Sequence, residues 1–407
     1  MTRRRVTSTL LAAALLAAGS TWVMSAQTSE PLPMVANPAE WRTAWGTTVP
    51  GGIGPAGGPA DRAWLSSGTL PVWPRTDGLV AQALLDLRDL TTTDGAVMAG
   101  PASIWRYAWP RDSAFVAAAF AATDHLDEAR RVLRFLARVQ RPDGGFEARY
   151  RLDGSGPPDG RTRQSDGAGW FLWALDRVRA VSSSPVLPVD LRAARDRAVG
   201  FILAQTTDGT ELPPVSPDYW EVPERKVTLG TAAPMAAGLE AAARTYAAEG
   251  DTAATIRCWA AAGRLRALIV RHFGPSYQRH GPSGGLDAAV AMLLPPFAPT
   301  PSPQVLAAWE RYRIDARRPA GGLAPGVEWK ADGVSWTPET ALVAFTAASS
   351  GRLDVAEGGL AWLAAHRTAW GSVPEKVRPD GLPAGPAPLA WTAALVVLTA
   401  HALDRSI

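Results

Sequence analysis

Trp105-Arg106-Tyr107-Ala108-Trp109-Pro110-Arg111-Asp112 runs directly into the apolar series Ala114-Phe115-Val116-Ala117-Ala118-Ala119-Phe120, and the reading of this stretch decides the rest. It predicts a helix start. Pro110 suits a first helical turn, where its missing N–H would go unpaired anyway, and Asp112 sets a carboxylate near the positive end of the macrodipole. Aromatic rings, a guanidinium and a carboxylate then meet where a loop enters a helix. A ring face beside a fixed polar fork is suited to a sugar, which offers C–H surface for stacking and hydroxyls for hydrogen bonds. The same residues also fit a second reading, a buried Arg111–Asp112 pair that ties down a helix entrance among core aromatics. The remainder of the chain has to choose.

Outward from this stretch, Leu79 onward is Ala-rich and Leu-rich, with apolar residues at three-and-four spacing in about twelve segments of helical length. They fall at 77–90, 110–122, 125–140, 166–181, 189–206, 228–248, 251–273, 284–294, 303–313, 337–349, 353–367 and 388–403. Asp-Gly pairs recur between them, at Asp94-Gly95, Asp143-Gly144, Asp208-Gly209, Asp332-Gly333 and Asp380-Gly381. They predict helix ends or tight turns, because Gly takes the left-handed conformation that other residues resist. Strand-like alternation is weak, and Phe146-Glu147-Ala148-Arg149-Tyr150-Arg151 is the best candidate for a small β-hairpin. About twelve helices joined alternately by short and long loops predict an all-α fold of helical hairpins closed into a ring. Its long loops gather at one end, where chemistry is expected.

Before the helices, Arg3, Arg4 and Arg5 precede the apolar run Leu10 to Ala18, and small residues follow at Ser25 and Ala26. This is the pattern of a secretory signal over residues 1–26, so a secreted or cell-envelope location is expected. Residues 27–72 are rich in Pro and Gly and read as an irregular N-terminal arm; residues 73–407 read as the helical domain. The formal net charge of +3 comes from the three arginines of the signal, which leaves 38 basic against 38 acidic residues after its removal. No argument remains for nucleic acid or an anionic membrane as partner. Cys258 is the only cysteine, and the five histidines at 125, 272, 280, 366 and 401 lack ligand-like spacing, so neither a disulfide nor a metal site is expected.

Two loops each set a glutamate among Trp and Pro. Ser216-Pro217-Asp218-Tyr219-Trp220-Glu221 lies between two expected helices, and Trp370-Gly371-Ser372-Val373-Pro374-Glu375-Lys376 precedes Pro388-Leu389-Ala390-Trp391. Partial burial there would raise one carboxyl pKa while a neighbouring Lys or Arg holds the other ionised. Taken singly, either glutamate reads equally as a surface loop acid.

Taken with their company, these segments resemble glycoside hydrolase family 15, the glucoamylase and glucodextranase family, over roughly residues 100–403. Tyr107-Ala108-Trp109-Pro110-Arg111-Asp112 is similar to that family's substrate-gripping motif, Gln164-Ser165-Asp166-Gly167 to its next loop, and Asp218-Tyr219-Trp220-Glu221 to the loop of the general acid. Leu286-Asp287-Ala288-Ala289 is similar to a structural segment. Pro374-Glu375-Lys376, with Gly381-Leu382-Pro383 and Pro388-Leu389-Ala390-Trp391 behind it, is similar to the segment of the general base. The resemblance implies an (α/α)6 barrel, inversion of configuration, Glu221 as general acid and Glu375 as general base. It further implies a sugar held by Trp105, Tyr107, Trp109, Arg111, Asp112, Asp166, Asp218, Trp220 and Trp391, with no cofactor. The substrate expected is an α-linked oligo- or polysaccharide that loses a terminal glucose.

The chain departs from the pattern in three places. Trp105 stands where the family usually has Tyr, Val222 stands where a second acid often follows the general acid, and the family's late-loop arginine has no clear counterpart, with Lys330 and Arg318 the nearest candidates. Two rival readings follow. A barrel that binds carbohydrate and has lost activity fits Val222 and the missing arginine. Gln140-Arg141-Pro142-Asp143-Gly144-Gly145-Phe146 resembles the helix-end repeats of terpene cyclase toroids, but the acidic Asp-x-Asp-Asp run that such chemistry needs is absent from the sequence.

The export reading predicts an exported chain that begins near Gln27. Intact mass of material recovered outside the cytoplasm checks this, and a chain still carrying Met1 there would refute it.

Overall fold

The computed structural model describes residues 58–71, 73 and 78–405. The expected signal and the arm as far as residue 57 lie outside the described residues. Within the arm, Pro59–Leu65 forms a short helix, α1, started by its proline. The other α-helices are α2 (Leu79–Leu90), α3 (Pro110–Ala122), α4 (Leu126–Val139), α5 (Asp166–Val181), α6 (Val189–Gln205), α7 (Leu229–Ala248), α8 (Thr252–Phe273), α9 (Pro303–Asp315), α10 (Thr337–Ser349), α11 (Leu353–Ala365) and α12 (Ala390–Asp404). The segment expected as a helix at 284–294 is instead a 3-10 helix, Ala288–Leu293.

Alternate elements close a ring. α3 packs on α5, α5 on α7, α7 on the 3-10 helix, that helix on α10, α10 on α12, and α12 back on α3. Each inner element has an outer partner, α4, α6, α8, α9, α11 and α2 in turn, which makes six hairpins and an (α/α)6 barrel. Burial separates the two rings: every residue of α3 from Pro110 to Ala121 is buried, whereas α8 buries only Cys258, Ala261, Ala262, Leu265, Ile269 and Phe273. That is the difference between an element apolar all round and one with a single apolar stripe.

The inner ring is close-packed because its residues are small. At the crossing of α5 and α7, a Cβ built on Gly238 would lie 2.6 Å from the Cα of Gly169, so neither position has room for a methyl group. The lumen is filled from within by Phe297, whose ring lies 5.9, 5.2, 5.3 and 5.8 Å from those of Phe115, Trp170, Trp173 and Phe345. The barrel is therefore a packed core closed below the helix N-termini.

The Asp-Gly turns space the outer ring. Gly144 has φ 87° and sits against the backbone carbonyl of Arg197 on α6, while Gly95 and Gly209 repeat this against Arg131 of α4 and Ala261 of α8. Gln140 completes the tie, donating to the carbonyls of Gly144 at 2.9 Å and Ala194 at 3.1 Å. The Gln-x-x-Asp-Gly-Gly-Phe motif thus binds one outer helix end to the next, a structural role that accounts for its presence. The hairpin expected at 146–151 does not form; Tyr150 makes only an isolated bridge to Ala108. The small antiparallel sheet lies instead at β1 (Ser335–Trp336), β2 (Lys376–Val377) and β3 (Pro383–Ala384). No described helix is long and apolar enough to cross a membrane.

Gly238→Ala is expected to cost about 1–3 kcal/mol, the usual range for overpacking a rigid core. Denaturant unfolding measures it; stability equal to wild type would mean that α5 and α7 do not cross this closely.

Candidate active site

Buried ionisable groups within the inner helices need a partner from outside, as Glu240 of α7 has in Arg266 of α8, and a larger set collects at the N-terminal ends of the inner ring. Arg111 and Asp112 are in the first turn of α3, Asp166 opens α5, Asp287 caps the 3-10 helix, Glu339 is in the first turn of α10, and Trp391 is in that of α12. The positive ends of these helices face the carboxylates.

Arg111 is the hub. Its Nη1 donates to Gln164 Oε1 at 3.0 Å and Asp166 Oδ2 at 3.2 Å, and its Nη2 lies 3.6 Å from Glu221 Oε1. Asp112 Oδ2 is 3.7 Å from its Nε, and the guanidinium stands over the Trp391 ring at 5.2 Å. Burial alone would lower its pKa, but Asp166, Asp112 and Glu221 outweigh burial and hold it charged. For Asp112 the balance runs the other way. Burial, helped by Glu221, pushes its carboxyl up to about 6 despite Arg111. Asp166 is also raised by burial, with Arg111 offsetting part of the effect.

Glu221 sits at the end of a tight turn. Asp218 Oδ1 accepts from Trp220 N at 3.0 Å, Glu221 N donates to Asp218 O at 2.8 Å, and Glu221 itself has φ 56° in the left-handed region, a strained conformation for a residue with a Cβ. Its carboxylate accepts from Gln164 Nε2 at 3.3 Å and from Arg161, a half-buried residue of the loop between Tyr150 and α5. The turn is anchored from below by Arg279, 2% exposed, which donates to Asp218 and Glu224 at 2.6 Å and to Asp287 at 2.7 Å. The Arg279 guanidinium also lies 3.8 Å over the Trp220 ring. Burial pushes Asp287 up to about 6, Asp218 adds to this, and Arg279 resists it.

Glu375 reaches the same end from the segment before β2. Its N–H donates to Pro386 O at 2.9 Å, its carbonyl accepts from Thr337 N at 3.0 Å, and Lys376 Nζ lies 3.1 Å from its Oε2. Lys376 in turn stands over the Trp336 ring at 4.4 Å. Trp336, Trp329 and Trp220 form an edge-to-face series with centroids 5.7 and 4.7 Å apart, which joins the two glutamate segments by an aromatic wall.

The structure thus brings together Arg111, Asp112, Asp166, Glu221, Trp391 and, through Glu339 and the aromatic wall, Glu375. Tyr107 and Trp109 form a second wall, with the Arg149 guanidinium 4.4 and 5.0 Å from their rings, and half-buried Trp105 lies in a 3-10 turn above them. Two of the expected sugar contacts lie deepest. Asp218 is 0% exposed and bonds the turn and Arg279 through Oδ1, and Asp166 is 1% exposed and bonds Arg111 and the Trp170 indole through Oδ2, while Asp218 Oδ2 and Asp166 Oδ1 have no partner among the described residues.

Arg318 and Lys330, the candidates for the missing arginine, face each other instead, Arg318 donating to Lys330 O at 3.0 Å while Lys330 lies over Trp329 at 5.6 Å. Sequence reading passed over Arg161, Arg279 and Glu339. For Glu339 a signal existed: Trp336-Thr337-Pro338-Glu339 repeats the Trp, Pro and acid pattern of Trp109-Pro110-Arg111-Asp112. Nothing local marks Arg279, whose three acidic partners are 8 to 61 residues away.

The indole N–H groups of Trp109, Trp220, Trp329, Trp336 and Trp391 are buried without an acceptor among the described residues, as are Asp166 Oδ1, Asp218 Oδ2 and Glu339 Oε2 without a donor. Such a concentration of unmatched polar groups at one end of the barrel is what a hydroxyl-rich ligand or bound water would satisfy. Among the described residues no His, Cys, Asp or Glu cluster is arranged to hold a metal ion.

Arg279→Leu strands three buried carboxyls and is expected to cost about 3–5 kcal/mol, the usual penalty for breaking a buried ion pair from one side. Thermal and denaturant unfolding read this, and a loss under about 1 kcal/mol, the scale of an exposed pair, would show that the network is solvated.

No protein-family model matches the chain, and no curated protein does. Solved structures do. A glycosidase variant with a glutamate-to-alanine substitution, in complex with glucose, aligns with TM-score 0.69 and 21% identity over 81% of this chain and 97% of its own. The glucoamylase of Saccharomycopsis fibuligera aligns with TM-score 0.62 and 15% identity over 87% and 96%. A bacterial glucoamylase complexed with acarbose aligns with TM-score 0.67 and 18% identity over 84% of this chain but 57% of its own. At these identities the likeness is one of fold, and the chain has the six-hairpin (α/α)6 barrel of the glycosidases and glucoamylases.

Proposed function

We propose that the protein is an exported glycoside hydrolase that removes terminal glucose from α-linked oligo- or polysaccharides with inversion. The observation that carries this reading is the convergence at one barrel end of Arg111, Asp112, Glu221, Glu375 and Trp391, in the same fold as glycosidases. In this reading Arg111 and Asp112 grip hydroxyls of the terminal sugar against the Trp391 wall. Glu221 protonates the leaving oxygen, and Glu375, paired with Lys376 at 3.1 Å, removes a proton from water attacking the opposite face. One bond from the anomeric carbon forms as the other breaks, so the two carboxyls share one proton transfer each way.

One observation favours a second reading, a carbohydrate-binding barrel without turnover. Arg161 and Gln164 donate to Glu221 and Arg111 lies beside it, a set of partners suited to a fixed carboxylate. For Glu221 to act as an acid, Arg161 must give up its contact when substrate enters.

Activity on a panel of α-glucosides separates the two readings, with NMR of the first product expected to show the anomer opposite to that of the substrate. Glu221→Gln should spare a glucosyl fluoride, whose leaving group needs little protonation, whereas Glu375→Gln should depress every substrate by about 10²–10⁴-fold, the range for general base catalysis. Arg111→Ala should lower kcat/KM by at least about tenfold, the equivalent of one lost charge-assisted hydrogen bond. Retained configuration would refute the mechanism. Sugar binding without hydrolysis would establish the second reading.

A further inference from the structure

Glu339 has no part in the chemistry above, yet it is held at the centre of the site. β1 leads into α10, and Trp336 pairs with Lys376 across the β1–β2 ladder. Thr337 Oγ1 donates to Pro374 O at 2.6 Å and lies 2.8 Å from Thr392 Oγ1, while Thr337 N donates to Glu375 O at 3.0 Å. The first turn of α10 is thereby bolted to the Glu375 segment and to the start of α12. Two residues further on, Glu339 is 3% exposed and carries an Oε2 with no donor among the described residues.

The groups facing Glu339 are Glu375 on the segment before β2, Arg111 on α3, Asp287 at the 3-10 cap and Tyr312 on α9. The first turn of α12, Ala390-Trp391-Thr392, brings no ionisable group, and α11 meets α10 here through Gly359. Burial is the largest influence on Glu339 and pushes it up to about 8; its own backbone N–H and Arg111 oppose this, and Glu375 and Asp287 reinforce it. Glu339 therefore keeps a proton at neutral pH, while Lys376 Nζ lies 3.1 Å from the Oε2 of its neighbour Glu375. Of two neighbouring buried carboxyls, one donates and the other only accepts.

Resting on the hydrolase reading, we infer that Glu339 is a positioning residue for the attacking water, its carboxyl O–H donating to the water whose proton Glu375 accepts. The water then has one lone pair tied to Glu339 and the other free for the anomeric carbon. As attack proceeds, the water proton passes to Glu375, the Glu221 proton passes to the leaving oxygen, and Glu339 retains its own. Above about 8 Glu339 becomes an acceptor only, and the water loses this donor.

Wild type, Glu339→Gln and Glu339→Leu test this in the full chain. Wild-type kcat should fall about tenfold per pH unit above the Glu339 pKa, the slope of a single essential proton, with KM little changed. The Gln variant keeps an N–H donor, so it should hold kcat within about tenfold at pH 6–7 and lose this alkaline limb, while Leu should lose about 10²-fold in kcat throughout. Melting temperature gives a reading that does not depend on activity. A carboxyl raised on folding contributes stability that is fully present below its unfolded value, 4.5, and is lost as pH rises toward about 8. The advantage of Gln over wild type should therefore grow across that window. A pH-independent difference, or a Leu variant with wild-type kcat, overturns the inference. Failure of wild type to hydrolyse any glycoside overturns the hydrolase reading beneath it, with the melting comparison still reporting whether Glu339 is neutral.

Discussion

The structure depends on one constraint: six inner elements have no solvent face. Their backbones are satisfied internally, their side chains must be small or apolar, and the lumen they enclose is filled by Phe297 and its aromatic neighbours. Polar groups are then concentrated toward the helix ends, and those within a helix, such as Glu240 of α7, take a partner from the outer ring. At the N-terminal ends the unpaired amides and the macrodipole favour carboxylates, so acids collect there without each needing its own cation. The site is a consequence of the packing.

That collection creates an electrostatic problem, solved by two buried arginines. Arg111 draws Asp112, Asp166 and Glu221 around one guanidinium, and Arg279 does the same for Asp218, Glu224 and Asp287. Each planar fork meets several carboxylates in fixed directions, a task for which a lysine lacks the geometry. Burial still outweighs this support at Asp112, Asp287 and above all Glu339, which are pushed up toward the neutral form. Separation of carboxyls into charged and proton-bearing members is the condition for acid and base roles in a single pocket.

The two arginines differ in what they support. Arg111 lies against Trp391 and the candidate acid Glu221, so it belongs to the face that a ligand would meet. Arg279 lies beneath the turn, stacked under Trp220, and fixes a backbone conformation in which Glu221 has positive φ. A strained residue persists only where its surroundings over-determine it, and here the surroundings are Asp218 and Arg279. Arg161, from a different loop, closes over Glu221 from the exposed side.

Sequence by itself determined the helices, their order and their ends. Three-and-four spacing located the inner and outer elements to within a few residues, because an amphipathic or fully apolar period is a local property, and Pro110, Pro338 and the Asp-Gly turns mark boundaries for local steric reasons. It also singled out Arg111, Asp112, Glu221, Glu375 and Trp391, each set in a loop or helix start with a distinctive neighbourhood. Only the tertiary structure decided which polar residues face the cleft and which lie beneath it. Asp166 and Asp218 read like Asp112 in sequence, yet they are enclosed by partners from distant segments. Arg279 and Glu339 carry no local mark of their burial, since burial and charge pairing are set by what packs against a residue. The 3-10 form of Ala288–Leu293 and the sheet at 335–384 were decided in the same way, by the closure of the ring around them.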